Sequence, residues 1–393
     1  RYSVRPSAER LAPMIERRTS TEPPALLRDS HEAALYEGLL AGDYGAGREL
    51  LERLERNPDR ARDFLLVCRR FALLHPGDRF ALERLYQATL REGNAVHAEA
   101  ITHTLAVLDG AAERARPPPL SDIEDNPDTV RTLILRDLGS RALDAFALVW
   151  EGAEHVFRRD ASTYGVTGLE RVPPGSPTPL AKAYAAASRA LGLSRTPLFQ
   201  RRSAGSITVS LALLSPPAIV VSGDVRSETP ELAFHLGAML LGTLPQFVLL
   251  FGSSEAQARA VLAGLRFAFG PPQGGSSSGG IPSLAEILWE SIPARLQRQL
   301  RELCDEPRAL EYDGAMHLAG AATRRAGLFV CGDLGVALRE VCIDEQIPVE
   351  RLGHPDSLAE LARSSSSIRS LLQMAVSLEY AETRWRVVRS SRL

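Results

Sequence analysis

Eight histidines and four cysteines are the residues of this chain best suited to hold a metal, and their spacing limits what they can do. A zinc site on one helix needs two histidines a turn apart, so that both imidazoles face one ion, and hydrolysis adds a glutamate beside the first. The only His-Glu pair is His31-Glu32, and its i+4 position is Leu35. His97 and His103 are six apart and fall on different faces of one helix. Cys68, Cys304, Cys331 and Cys342 form no Cys-x-x-Cys pair and read as buried thiols, compatible with a reducing compartment. No Gly-x-Ser-x-Gly elbow stands between a strand and a helix, since the Gly/Ser runs are low-complexity. Gly-x-x-x-x-Gly-Lys is missing as well, which removes the phosphate-cradling loop.

The elements that would position any site begin with the run Ser203–Gly242. Ile207, Val209, Leu211 and Leu213 alternate with small or polar residues, the period of a half-buried strand. Ser215-Pro216-Pro217 interrupts, and Ala218–Val221 restarts as a short apolar strand. Thr229 then offers a helix cap, Pro230 suits the first turn, and Glu231 suits the positive helix end. Leu232 to Leu244 is apolar on nearly every face, which predicts a buried helix.

This layout resembles the zinc metallopeptidases related to the CAAX-prenyl endopeptidase and the HtpX heat-shock protease. In those proteins a strand pair leads into a helix that carries the metal. Ser206–Val221 is similar to the strand pair, and Glu231-Leu232-Ala233-Phe234-His235-Leu236-Gly237 to the helix start. Gly320-Ala321-Ala322-Thr323-Arg324-Arg325-Ala326-Gly327-Leu328 is similar to the downstream E-x-x-x-A-D-r-a-G piece. The likeness covers roughly residues 120–345. It implies that Ala238, Met239 and Gly242 stand where the family has its two histidines and general base, and Gly320 and Arg324 where it has carboxylates. None of these five can ligate zinc. Sliding the register to His235 gives His-Leu-Gly-Ala-Met and fails equally. The resemblance therefore implies a degenerate peptidase body without catalytic residues or cofactor, in which Arg324 reaches a carboxylate such as Glu231, Glu228 or Asp224. His235 and His317 lie in the segments that the family joins around its metal, with Cys331 nearby. They are the residual metal candidates, although a lone histidine on an apolar helix is more often a satisfied core residue.

Taken in order, residues 1–28 read as an arm or linker, rich in Arg, Pro, Ser and Glu without period. Residues 29–115 alternate apolar helical runs with short turns such as Gly42-Asp43, Asn57-Pro58-Asp59 and Gly93-Asn94. That pattern predicts a helical-hairpin solenoid resembling tetratricopeptide repeats, with a concave groove for a partner helix or tail. Pro117-Pro118-Pro119 marks the boundary to a body spanning 120–393. Helices are expected at Pro307–Arg325, Asp333–Val341 and Ser366–Arg384, with a short turn over Gly327–Gly332 and a flexible loop over 270–281. Asp333 and Asp356 are expected as helix caps. The fold class is mainly α with one small β-sheet.

The chain has 393 residues, 45% of them hydrophobic, enough for real cores, and a net charge of −2. Lys182 is the only lysine, the mark of a GC-rich genome. No basic patch points to nucleic acid. Leu232–Phe251 carries no charged residue, but His235, Pro245 and Gln246 interrupt it, so a buried hairpin is preferred over a membrane span. The first residues lack the apolar core of a signal peptide, a cytoplasmic location is expected, and the chain starts without Met, as a piece of a longer protein would. The expected function is a non-catalytic scaffold that binds a protein or peptide partner. The alternative is a metal-dependent endopeptidase with displaced or partner-supplied zinc ligands.

Overall fold

The computed structural model describes residues 30–110, 117–123, 126–203, 205–271, 281–306, 310–354 and 357–387. The expected arm at 1–28, most of the loop at 270–281 and the cap at Asp356 lie outside the described residues.

Five helices open the chain: α1 (Ser30–Leu40), α2 (Tyr44–Glu55), α3 (Ala61–Leu74), α4 (Arg79–Glu92) and α5 (Ala95–Leu108). Each stacks on the next, as hairpins joined by short turns must. The turn residues start the helices by supplying side-chain oxygens to unpaired N–H groups. Asp43 accepts from Gly45 N at 2.8 Å, Asp78 from Ala81 N at 2.8 Å, and Asn94 from His97 N at 3.0 Å. Inside the first hairpins, Arg60 is buried between two carboxylates, 2.7 Å from Glu32 Oε2 and 3.0 Å from Asp63 Oδ2.

After Pro117–Pro119 come α6 (Pro127–Ile134), α7 (Arg141–Phe157) and α8 (Pro179–Ala190). The three strands are β1 (Leu198–Arg201), β2 (Thr208–Ala212) and β3 (Ala218–Ser222), in the order β1-β3-β2. β3 is parallel to β1 and antiparallel to β2, with Leu211 opposite Ile219 and Val209 opposite Val221. The mainly helical architecture with one small mixed sheet agrees with the sequence reading, and the strands fall where alternation placed them. Val209, Leu211, Ile219 and Val221 face the helical core, while Phe199, Ala212, Ala218 and Val220 bury a smaller cluster with Val166.

Next come α9 (Pro230–Gly242), α10 (Pro245–Gly252), α11 (Glu255–Phe269), α12 (Ile281–Ser291), α13 (Ala294–Cys304), α14 (Tyr312–Cys331), α15 (Leu334–Asp344), α16 (Ser357–Ser364) and α17 (Ser366–Ala375). α9 and α10 form a buried hairpin bent by 115°. Among the described residues no single helix is long and apolar enough to cross a membrane.

Two expectations are corrected. Gly327–Gly332 is not a turn: α14 continues through Cys331 with Leu328, Phe329 and Val330 all buried, and stops at Gly332. Gly332 takes φ 72°, the left-handed stop that glycine adopts without strain, and its N–H bonds Leu328 O at 2.7 Å. Helix over Ser366–Arg384 is interrupted after Ala375. Ser377 Oγ donates to Met374 O at 2.7 Å and accepts from Tyr380 N at 3.3 Å, closing one helix and capping the short Leu378–Tyr380 turn. A π-turn at Ala381–Trp385 follows.

Candidate functional site

The two segments that carry the peptidase resemblance, α9 and α14, do pack on each other, and they are the most closely packed helices of the body. Thr229 starts α9 as expected, accepting from Leu232 N at 3.2 Å. At the crossing both helices need glycine. A Cβ on Gly237 would lie 2.8 Å from the Ala326 carbonyl, and one on Gly327 would lie 2.6 Å from the Phe234 ring. The spacing is thus set by main chain and by the apolar Phe234 and Val330 side chains packed directly on the two glycines.

Of the five degenerate positions, Gly242, Gly320 and Arg324 face different surroundings. Ala238 and Gly242 are buried and Met239 is half-buried. A side chain on Gly242 would run toward Phe251, at 3.4 Å, and Leu211, at 3.6 Å, under the sheet. One on Gly320 would meet only Arg324 of its own helix, at 3.6 Å. Arg324 turns away from α9, and the expected partners are corrected accordingly. It bonds Ser367 Oγ and lies 3.3 Å from Glu345 Oε1 and 3.8 Å from Asp344 Oδ2, because its helix face looks onto the end of α15 and the start of α17. Glu231 instead pairs with Arg339 at 3.6 Å, and Asp224 with Arg226 at 2.8 Å.

The residual metal candidates are also separate. His235 Nε2 lies 3.0 Å from Glu340 Oε2, and His317 is exposed. Cys331 Sγ contacts Asp333 O at 3.5 Å, and burial pushes its thiol up to about 12, away from the thiolate a metal requires. Among the described residues no three His, Cys, Asp or Glu side chains come together as a metal-holding group.

The helical hairpins pack against the chain's own C-terminal helices. α3 and α5 pack against α17, and α5 also against α15 and the π-turn. His97 Nε2 donates to Val376 O at 3.0 Å, which places its proton on Nε2. His103 Nε2 accepts from Leu334 N at 3.2 Å, which places its proton on Nδ1 and satisfies a free N–H at the start of α15. Gln373 Nε2 bonds Leu73 O at 2.9 Å. Both histidines thus face the C-terminal helices, although their spacing set them on different faces.

The sheet offers a more accessible surface. The outer edge of β1 is closed, since Val172 N donates to Leu198 O at 2.9 Å. β2 is closed only at its end: Leu213 N donates to Tyr164 Oη at 2.8 Å, and Leu213 O accepts from Arg159 N at 2.8 Å. Leu213 therefore turns its main chain away from β3, and the two-residue period turns Val209 the same way. Thr208 and Ser210 are exposed, Val209 is half-buried, and Ile207 is 39% exposed. Among the described residues, nothing outside the sheet bonds the main chain of Ile207–Ser210.

No family model, curated protein or solved structure matches the chain.

Proposed function

We propose that the protein is a non-catalytic interaction scaffold that binds an extended peptide segment of a partner along the outer edge of β2. The observation that carries this reading is the outer edge of β2, where nothing outside the sheet bonds the main chain of Ile207–Ser210 among the described residues, on a sheet whose other outer edge is covered. An extended peptide gains affinity there from backbone hydrogen bonds, and no metal is needed. The absence of ligating side chains at Ala238, Met239, Gly242, Gly320 and Arg324 supports a body without peptidase chemistry. The helical hairpins, packed against α15 and α17, serve to fix the body's C-terminal helices.

The test is selection of binders from a displayed random-peptide library, followed by titration against Val209→Pro. Proline removes the outward N–H while an edge strand tolerates it. Losing one main-chain hydrogen bond should weaken the selected peptides by roughly tenfold with unfolding temperature retained. Peptides that bind the variant unchanged, or that are cleaved on incubation with zinc, would overturn the reading.

A further inference from the structure

A cleft of ≈ 280 Å³ opens where the end of α7, the end of β2 and the starts of α11 and α12 meet. Its floor is apolar: Leu213 and Val261 are 1% and 2% exposed, and Phe157 and Leu284 stand beside them half-buried. Arg158 and Arg159 stand at the side, and among the described residues no aspartate or glutamate lines the cleft.

Neither of these two arginines is held by a carboxylate among the described residues. Arg158 is exposed and has no ion-pair partner among the described residues. Arg159 Nη2 donates to the neutral Gln257 Oε1 at 2.9 Å, its only side-chain partner there. Gln257 is itself fixed, because the same oxygen accepts from Ser254 N at 3.2 Å in the capping box of α11. Glu154 is bonded by Ser215 Oγ at 3.1 Å and Glu255 pairs with Arg259 Nε at 2.8 Å, while the exposed Asp160, next in the chain, lies outside the cleft lining. Two arginines beside an apolar floor, with no ion-pair partner among the described residues, complement an anion on an apolar tail.

We propose that this cleft binds a small organic monocarboxylate, its apolar tail on Leu213 and Val261 and its carboxylate against Arg159 and Arg158. The site is separate from the β2 edge, whose free stretch ends before Leu213, so either reading can fail alone.

The experiment is a titration of the full chain, followed by NMR of the Leu213, Val261 and Leu284 methyl groups, with hexanoate, hexan-1-ol and inorganic phosphate as probes. Hexanoate should shift these methyls saturably. Hexanol, lacking the charge, and phosphate, lacking the tail, should each bind at least about tenfold more weakly. Arg159→Gln should weaken hexanoate by roughly the same factor and leave hexanol unchanged. Arg158→Gln, at an exposed position, supplies a second variant with a smaller expected loss. Equal binding of hexanoate and hexanol, equal binding of hexanoate and phosphate, no saturable shift at these methyls, or unchanged hexanoate affinity in both variants would each overturn the proposal.

Discussion

The α9–α14 crossing and the junction between the hairpins and the C-terminal helices both bury large surfaces, but by different means. At the crossing, Gly237 and Gly327 let two backbones touch, and the side chains nearest them, Phe234 and Val330, are apolar. At the junction, side chains reach main-chain groups at helix ends: His97 to Val376 O, His103 to Leu334 N, Gln373 to Leu73 O, and the buried Arg384 Nε to Phe329 O at 2.7 Å. The first contact is specified by shape and the second by directional bonds. They should therefore fail under different insults, the crossing when an atom is added and the junction when a proton is.

The largest effect is expected at the crossing. Gly327→Val places carbon where the Phe234 ring and carbonyl already stand, at 2.6 and 2.9 Å, and overpacking of this kind should cost about 3 kcal/mol. Gly320→Ala on the same helix is the control. Its Cβ would meet only the flexible Arg324 tip at 3.6 Å, so the better helix propensity of alanine should stabilise by about 0.5 kcal/mol. Urea denaturation of both variants checks the pair. A tolerated valine, or an equal loss at both positions, would break the contrast.

The junction should respond to pH. Burial, the largest cause, pushes His97 below the ordinary histidine value of 6.5, outweighing its bond to Val376 O. A depressed histidine is neutral in the fold while the unfolded chain takes up the proton. Its stabilisation is therefore complete above 6.5 and declines as pH falls from 6.5 toward the folded value. His75 is lowered by burial too and adds the same sign. The slope should approach about 1.4 kcal/mol per pH unit for His97 alone. His97→Gln, which keeps a donor for Val376 O but cannot titrate, should flatten it in urea melts taken between about pH 7 and pH 5. An unchanged slope would remove His97 from the pH response.

The two contacts also differ in how much the sequence revealed of them. Thr229, Pro230 and the uniformly apolar run after them announce a capped, buried helix, and alternation at Ile207–Leu213 announces the strand. Asp333 was legible as a cap, and it accepts from Val336 N at 3.0 Å. Gly327 misled, because a glycine required for close approach reads like a helix breaker. The junction was illegible for a physical reason: the partners of His97, His103 and Gln373 are main-chain atoms, which leave no residue-type signature. The cleft's arginines were hidden similarly. Arg158 and Arg159 look like any other pair until the fold sets them beside an apolar cleft floor.

Arg324, which stands where the peptidase resemblance implied a carboxylate, tests whether that position belongs to either contact. It lies on the face of α14 turned from α9, and its ion pairs are partly solvated, with side chains 22% exposed for Arg324, 28% for Glu345 and 53% for Asp344. Pairs of that kind contribute little, because water screens them and ordering long side chains opposes them. The Ser367 hydroxyl is different. It is buried at 5% exposure and loses its bond when the guanidinium goes. Arg324→Ala should therefore cost about 1 kcal/mol, the smallest of the losses expected here, mostly from that hydroxyl. Added salt separates the two contributions, since it weakens the ion pairs but hardly touches a buried neutral group. The difference between wild type and variant should shrink only slightly in molar sodium chloride. A loss near that of Gly327→Val would make Arg324 part of the shape-specified contact after all. A loss abolished by salt would mean that the carboxylates, rather than Ser367, hold it in place.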